Sequence, residues 1–105
     1  ILGEIINNKG IRRQLGQERD SGADILDIEG LCIEVKRQET LNIEAWWRQV
    51  CRAADRNGDI PVLMYRQNRK PWHFCLPASL LVPGAPGRLT MVESTFAYWL
   101  RHWVN

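Results

Sequence analysis

Several features that would assign a protein class directly are missing from this chain of 105 residues. There is no internal repeat or low-complexity segment, and no apolar run approaches the ~18 residues of a membrane span. No basic segment followed by an apolar core and a small-residue cleavage site is visible, so a secretory signal is not expected. The chain begins at Ile1 rather than Met, which indicates that the natural N-terminus has been lost. With 45% hydrophobic and 25% charged residues, we expect a single globular domain rather than a disordered chain.

Cysteine is also scarce. Cys32, Cys51 and Cys75 cannot pair evenly, and none of them lies in a CxxC motif. This pattern predicts free, mostly buried thiols and a reducing, cytoplasmic location. A zinc site is not expected, because only His73 and His102 could join the cysteines and no spacing fits a ligand knuckle.

Acidic residues are nearly absent from the second half of the chain. Of the 12 acids, only Glu93 lies beyond Ile60, where five lysines or arginines are found. The net charge of +2 says little about nucleic acid by itself. The acids matter more if some of them bind a divalent cation, because a bound metal reverses the local sign of the charge.

Hydrophobic periodicity predicts an α/β protein with a mixed central sheet flanked by helices. The predicted elements are the end of a helix over 1–8, a strand and loop over 11–22, strands over 23–28 and 31–36 around a Glu29-Gly30 turn, a helix from the Asn42 N-cap to Asn57-Gly58, strands over 60–65 and 72–76, and a helix over 96–103. We expect the core to span residues 1–82. Residues 83–105 should add a Pro/Gly linker and an aromatic helix to the same single domain.

The strand over 31–36 carries the residues of chemical interest. Glu34 and Lys36 should share a face, because side chains two apart on a strand point the same way. Burying both charges on an otherwise apolar strand is costly without a purpose. If the hairpin closes around Gly30, Asp24 lies opposite Lys36 and diagonal to Glu34, about 7–8 Å away at the backbone.

This arrangement predicts metal-assisted phosphodiester hydrolysis. Two carboxylates with open water positions suit Mg²⁺. The lysine can orient an attacking water or offset charge in the transition state. The alternative is that Glu34 and Lys36 lie on a solvated strand face with a cross-strand partner.

The same residues resemble a known family. Asp24, then nine intervening residues, then Glu34-Val35-Lys36 on a hairpin behind a helix, resembles the PD-(D/E)xK nuclease superfamily, with Ala23 in place of the proline. The chain is similar, over roughly residues 1–81, to phage and prophage endonucleases grouped with Holliday-junction resolvases. The wider string that carries this similarity is Gly16-Gln17, Ser21-Gly22, Ala23-Asp24-Ile25, Ile33-Glu34-Val35-Lys36-Arg37, Leu41-Asn42, Tyr65-Arg66-Gln67-Asn68-Arg69 and Pro71-Trp72.

The resemblance implies a restriction-endonuclease-like core and an endodeoxyribonuclease that uses Mg²⁺, with Mn²⁺ as a substitute. The site residues that it implies are Asp24 and Glu34 as metal ligands, Val35 through its backbone carbonyl, and Lys36 as the catalytic lysine. Gln49 matches a polar residue that faces the site in this superfamily. Glu4 is the candidate for a glutamate of the first helix, unless that glutamate preceded Ile1.

Basic residues precede and follow the predicted site. We expect contacts with the DNA backbone from two groups, Arg12, Arg13 and Arg19, and Arg66, Arg69 and Lys70. Ordinary surface charge is the alternative for these residues.

The predicted working form is a homodimer, because a branched junction has two symmetric strands to cut and each domain carries one site. The predicted contact surface is an aromatic stripe on the last helix, formed by Phe96, Trp99, Leu100 and Trp103, with Tyr98 at its edge. Alternatively this helix packs on its own sheet, and Trp46 or Trp47 supplies the dimer contact.

Two other functions stay open at this point. One is a catalytically inactive nucleic-acid-binding module of the same fold, and the other is an assembly protein that uses its aromatic C-terminal surface. The presence of Asp24, Glu34 and Lys36 together favours the nuclease.

Overall fold

The computed structural model describes residues 12–14 and 24–104, with side chains over 28–103. Within these residues the chain forms a six-stranded mixed sheet with a helix packed on each face. The elements are β1 (Arg12–Gln14), β2 (Asp24–Ile28), β3 (Leu31–Arg37), α1 (Ile43–Asn57), β4 (Ile60–Arg66), β5 (His73–Pro77), a 3₁₀ turn (Ala78–Leu80), β6 (Arg88–Val92) and α2 (Glu93–Val104). The strands lie in chain order, and among them β3 and β4 are the parallel pair. The predicted α/β class with a mixed sheet is confirmed.

The hairpin of β2 and β3 forms as predicted, but its register differs by one residue. Ile28 pairs with Leu31 across the two-residue turn, so Asp24 pairs with Val35 and not with Lys36. The prediction centred the pairing on Gly30, whereas the turn contains both Glu29 and Gly30. A one-residue change of register moves every paired position to the other face of the sheet.

Helix α1 crosses from β3 to the parallel strand β4 and confirms the predicted helix. Trp46, Val50 and Ala54 recur every four residues, and all three are buried. Gly58 ends the helix in a left-handed conformation with a φ of 72°, and the Asp59 N–H donates to the Ala54 carbonyl at 2.9 Å. The Asn42 side chain makes no capping hydrogen bond.

Helix α2 covers the opposite face of the sheet and overturns the predicted dimer surface. Phe96 and Leu100 are fully buried in the main apolar cluster, and Trp99 packs against that cluster. Trp103 is 40% exposed, but its Nε1 donates to the Glu29 carbonyl at 3.3 Å. The aromatic stripe therefore packs on its own sheet, because Phe96 and Leu100 complete a core that the strands leave open.

The chain after the Pro/Gly stretch returns to the sheet as β6, which the sequence reading missed. Leu89 and Met91 of β6 pack on the α2 side, while Arg88 and Thr90 alternate with them. The predicted helix over 1–8, and the predicted strand and loop over 11–22 apart from β1, lie outside the described residues. No helix in the described part of the chain has the length and apolar character required to cross a membrane.

Candidate active site

Several strands end, and both helices begin, at one edge of the sheet. Because β3 and β4 are parallel, both end at this edge, and α1 begins there after the link from β3. Strand β6 also ends at this edge, and α2 begins directly after it. The positive end of the α1 dipole is therefore at this edge, a setting that favours anions, whereas α2 begins three strands away from β3 on the opposite face.

Glu34 and Lys36 lie on β3 and are buried, with 7% and 4% of their surface exposed. The alternative of a solvated strand face is therefore excluded for both residues. They belong to the side of the sheet that α1 covers, together with Cys32. Charged side chains are almost never this buried without partners or a function, so this pair marks the candidate site.

A row of side chains runs from Lys36 across two further strands. Lys36 is in register with Tyr65 on β4, and Tyr65 is in register with His73 on β5. The rings of Tyr65 and His73 are stacked, with centroids 5.4 Å apart and an interplanar angle of 21°. His73 is half-buried against Tyr65.

Trp46 of α1 covers the start of this row. Its ring centroid is 5.9 Å from the Lys36 Nζ and 6.4 Å from the Tyr65 ring centroid. The sequence reading did not place Trp46 in the site. Its spacing to Val50 and Ala54 was the signal that marks it as the inner one of the two adjacent tryptophans.

Asp24 is the first residue of β2, and its backbone lies opposite Val35. The predicted pairing of Asp24 with Lys36 is therefore wrong, because the register differs by one residue. The Asp24 side chain lies outside the described ones. The structure thus brings the Asp24 backbone beside the Glu34–Lys36 segment.

Among the predicted site residues outside β2, β3 and residues 66–70, only the side chain of Gln49 is described, and it is not part of this buried cluster. Gln49 is exposed on α1, beside the buried Val50. Glu4 lies outside the described residues, as does Arg19. The backbones of Arg12 and Arg13 lie on β1, opposite Asp27 and Leu26.

The predicted basic turn after β4 is located at the same edge as Lys36. Arg69 and Lys70 are exposed in it, and Arg69 has a φ of 64°. Arg66 is half-buried, and its Cζ lies 4.8 Å from the ring centroid of Trp72. The Arg66 Nε is buried without a hydrogen-bond partner. Exposed Arg37, which the prediction omitted, is in register with Arg66.

Burial changes the titration of two groups on this face. The pKa of the Cys32 thiol is raised by burial and then by the charges of Asp59 and Glu34. Burial also raises the pKa of Tyr65, so its phenol stays protonated at neutral pH. All three cysteines are free thiols, as predicted, although Cys75 is the one that is fully buried.

The described side chains contain no group of three or more histidine, cysteine, aspartate or glutamate residues that could hold a metal ion. Glu34 is the carboxylate of the buried cluster. Any set that includes Asp24 or Glu4 depends on side chains outside the described ones.

The fold and the buried Glu34–Lys36 segment define the class as an α/β protein with a PD-(D/E)xK-type core. The family described as "Phage putative PDDEXK endonuclease" matches residues 11–100, and the chain belongs to this family. No curated protein matches. Among solved structures, the chain is similar to Hjc of Archaeoglobus fulgidus, a Holliday junction resolvase, at 15% identity and a TM-score of 0.40. That alignment covers 94% of this chain and 88% of the resolvase.

Proposed function

We propose that the protein is a divalent-metal-dependent DNA endonuclease that hydrolyses phosphodiester bonds. The observation that carries the proposal is the burial of Glu34 and Lys36 side by side on β3. A carboxylate and an ammonium on a buried sheet face are costly for stability, so a chemical role accounts for them better than packing does. Membership of an endonuclease family supports the same conclusion.

The metal that we propose is Mg²⁺, with Mn²⁺ as a substitute. Glu34 would hold it together with the Val35 carbonyl and Asp24, whose backbone lies opposite Val35. Mg²⁺ accepts few protein ligands and keeps several waters, so this small set of oxygen donors fits it. When bound, the ion would lower the pKa of an attacking water and polarise a phosphoryl oxygen. Glu4 remains a proposed further ligand, and Gln49 remains a proposed catalytic residue of the site.

In the proposed mechanism Lys36 is the catalytic residue that offsets charge developing on the phosphate. A compact ammonium can donate three hydrogen bonds to phosphate or water oxygens. Its burial lowers the local dielectric constant and so strengthens its attraction to an anion. The protonated Tyr65 beside Lys36 is neutral, so it does not compete with the phosphate for the charge of the ammonium.

DNA would approach the edge at which β3 and β4 end. The exposed cations here are Arg37, Arg69 and Lys70, and the Arg66 guanidinium lies over the Trp72 ring. A guanidinium fixed on an indole face is preorganised to contact phosphate oxygens. Arg12, Arg13 and Arg19 are proposed to contact the backbone from the other side of the site.

We further propose that the substrate is branched DNA and that the working form is a homodimer. Two symmetric strands of a junction require two sites, and one domain supplies one. The contact surface differs from the predicted helix stripe, because Phe96 and Leu100 are buried in their own domain. Light scattering with and without junction DNA tests the dimer, and a monomer under both conditions would refute it.

The activity is tested by cleavage of a panel of labelled branched and linear DNAs with Mg²⁺, Mn²⁺ or EDTA. We expect cutting with either metal and none with EDTA. Glu34→Ala, Asp24→Asn and Lys36→Ala should each abolish cutting and leave DNA binding intact. Glu39→Ala is the matched control, since Glu39 is exposed in the link after β3. Binding without any cleavage across the panel would instead identify an inactive nucleic-acid-binding module.

Calorimetry separates the ligands from the catalytic lysine. Glu34→Ala should lose Mn²⁺ binding, whereas Lys36→Ala should keep it, because a cation is not a ligand. Equal Mn²⁺ affinity in the wild type and Glu34→Ala would refute the metal site at this position.

The basic turn is tested by the salt dependence of DNA binding. Arg69→Ala combined with Lys70→Ala should weaken binding to all sequences alike and lower the slope of log K against log salt by roughly 2. The matched control is Arg52→Ala with Arg56→Ala, which removes two exposed cations from α1. An unchanged slope in the first variant would remove the turn from the interface.

A further inference from the structure

We propose that Trp46 is a positioning residue that holds the Lys36 ammonium in place for catalysis. This inference rests on the proposed function, because it concerns the residue that would act on the phosphate. It adds a residue from α1 to a site that the motif places on the hairpin of β2 and β3.

The contact between Trp46 and Lys36 is the first observation. The Lys36 Nζ lies 5.9 Å from the centroid of the Trp46 ring, within the range of a cation–π interaction. Trp46 is 8% exposed and Lys36 is 4% exposed, so water screens the contact little. Tryptophan provides the strongest cation–π surface among the aromatic side chains.

The second observation is that the indole is itself fixed. Trp46 belongs to the buried stripe of α1 with Val50, and both pack on Leu63 and Tyr65 in one apolar cluster. The Tyr65 ring is tilted by 51° to the Trp46 ring at a centroid distance of 6.4 Å. The same Tyr65 ring is stacked on His73 of the neighbouring strand β5. The indole therefore cannot move without disturbing two strands.

The chemistry of this contact suits a catalytic lysine. Lysine has a flexible four-carbon stem and a compact charge, so its ammonium needs to be positioned. An indole face attracts the ammonium through its quadrupole and accepts none of the N–H donors by a conventional hydrogen bond. The contact thereby orients the lysine without using its N–H donors in a conventional hydrogen bond to the indole.

Trp47 offers a matched control on the same helix. It is half-buried and packs against the same apolar cluster as Trp46. The cation–π contacts among the described residues involve Trp46 and Trp72. A change at Trp47 therefore perturbs the packing of α1 without removing the contact with Lys36.

The test compares Trp46→Leu, Trp46→Phe and Trp47→Leu by NMR and by kinetics. An indole close to the Lys36 side chain shifts its Hε resonances upfield, so Trp46→Leu should return them towards the values of an exposed lysine. The same variant should lower kcat about tenfold, equivalent to about 1.4 kcal/mol, with KM and Mn²⁺ affinity unchanged. Trp46→Phe should give an intermediate loss, because phenylalanine keeps a weaker aromatic surface. Trp47→Leu should change neither the Lys36 resonances nor kcat.

Two results would overturn the inference. One is an unchanged Lys36 Hε shift in Trp46→Leu, and the other is an equal loss of kcat in Trp47→Leu. If Trp46→Leu does not fold, Trp46→Phe, which retains most of the volume, decides by the same resonances. Full cleavage by Lys36→Ala would refute the catalytic role of the lysine, and the NMR shift would still decide whether Trp46 holds it.

Discussion

The two faces of the sheet are built from the same strands but differ in the side chains that they bury. The face under α2 is a continuous apolar cluster in which Phe74 stacks on Phe96 at a centroid distance of 4.3 Å. The face under α1 has a smaller apolar cluster and also contains buried Glu34 and Lys36. Because β3 alternates between the two faces, each of its residues contributes either to the closed core or to the site.

This difference shows how a domain of this size can carry a charged site. The α2 face supplies most of the apolar burial and therefore most of the stability. The α1 face includes desolvated charges that oppose folding. The division predicts that substitutions in the α2 core change stability, whereas replacing the buried charges of the α1 face changes activity with little or favourable effect on stability.

The largest effect should come from the α2 core. Phe96→Ala should lower the free energy of unfolding by about 3–5 kcal/mol, because it leaves a cavity against Phe74. Tyr98→Ala, two residues along the same helix, should change it by less than about 0.5 kcal/mol, because Tyr98 is exposed. Urea denaturation measures both, and equal losses would contradict the division between buried and exposed rings on α2.

An opposite sign is expected on the α1 face. Replacing the two charges together, Glu34→Leu with Lys36→Met, should leave the free energy of unfolding unchanged or raise it by about 1–4 kcal/mol. The same double variant should be inactive in the cleavage assay. A clear loss of stability on denaturation would mean that the charges stabilise this face and would break the comparison.

A smaller effect is expected where α2 contacts the hairpin. A Cβ at Gly30, whose φ is 85°, would lie 2.9 Å from Cζ2 of Trp103. Gly58 has a similar φ of 72° with nothing within 4 Å, so Gly58→Ala measures the backbone strain alone. Gly30→Ala should cost about 1–3 kcal/mol more than Gly58→Ala in thermal unfolding. Equal costs would show that the Trp103 ring yields without penalty.

The smallest effect concerns alkaline pH and the α1 face. Burial raises the folded-state pKa of Tyr65 and of Cys32 above their values in the unfolded chain. Their contribution to stability is therefore complete below the ordinary pKa of a thiol, about 8.5, and is lost as the pH rises through the folded-state values. Tyr65→Phe should flatten the decline of stability with pH above about 10, as followed by denaturation at several pH values. An unchanged decline would indicate that Tyr65 is as accessible as in the unfolded chain.

Local patterns predicted much of this fold. The α1 stripe of Trp46, Val50 and Ala54 has a helical period, and the run over 60–65 has the length of a buried strand. Strand β6 was missed because it is short and follows a Pro/Gly stretch that reads as a linker. The register of β2 against β3 was predicted wrongly. A two-residue turn over Glu29-Gly30 and a turn centred on Gly30 give pairings that differ by one residue, and local propensity does not distinguish the two turns.

The sequence by itself determined the fold class, the motif that carries the family resemblance, and the alternation that places Glu34 and Lys36 on one face of β3. Each of these depends on neighbours along the chain. Tertiary structure decided that α2 closes the core rather than a dimer interface, since only the assembled sheet offers Phe96 a place beside Phe74. It also decided that Trp46 and Tyr65 lie beside the lysine and that His73 stacks on Tyr65, because these residues come from a helix and two strands that are brought together by packing alone. Contacts between residues distant in the chain depend on how the whole core excludes water, and no short-range pattern encodes that outcome.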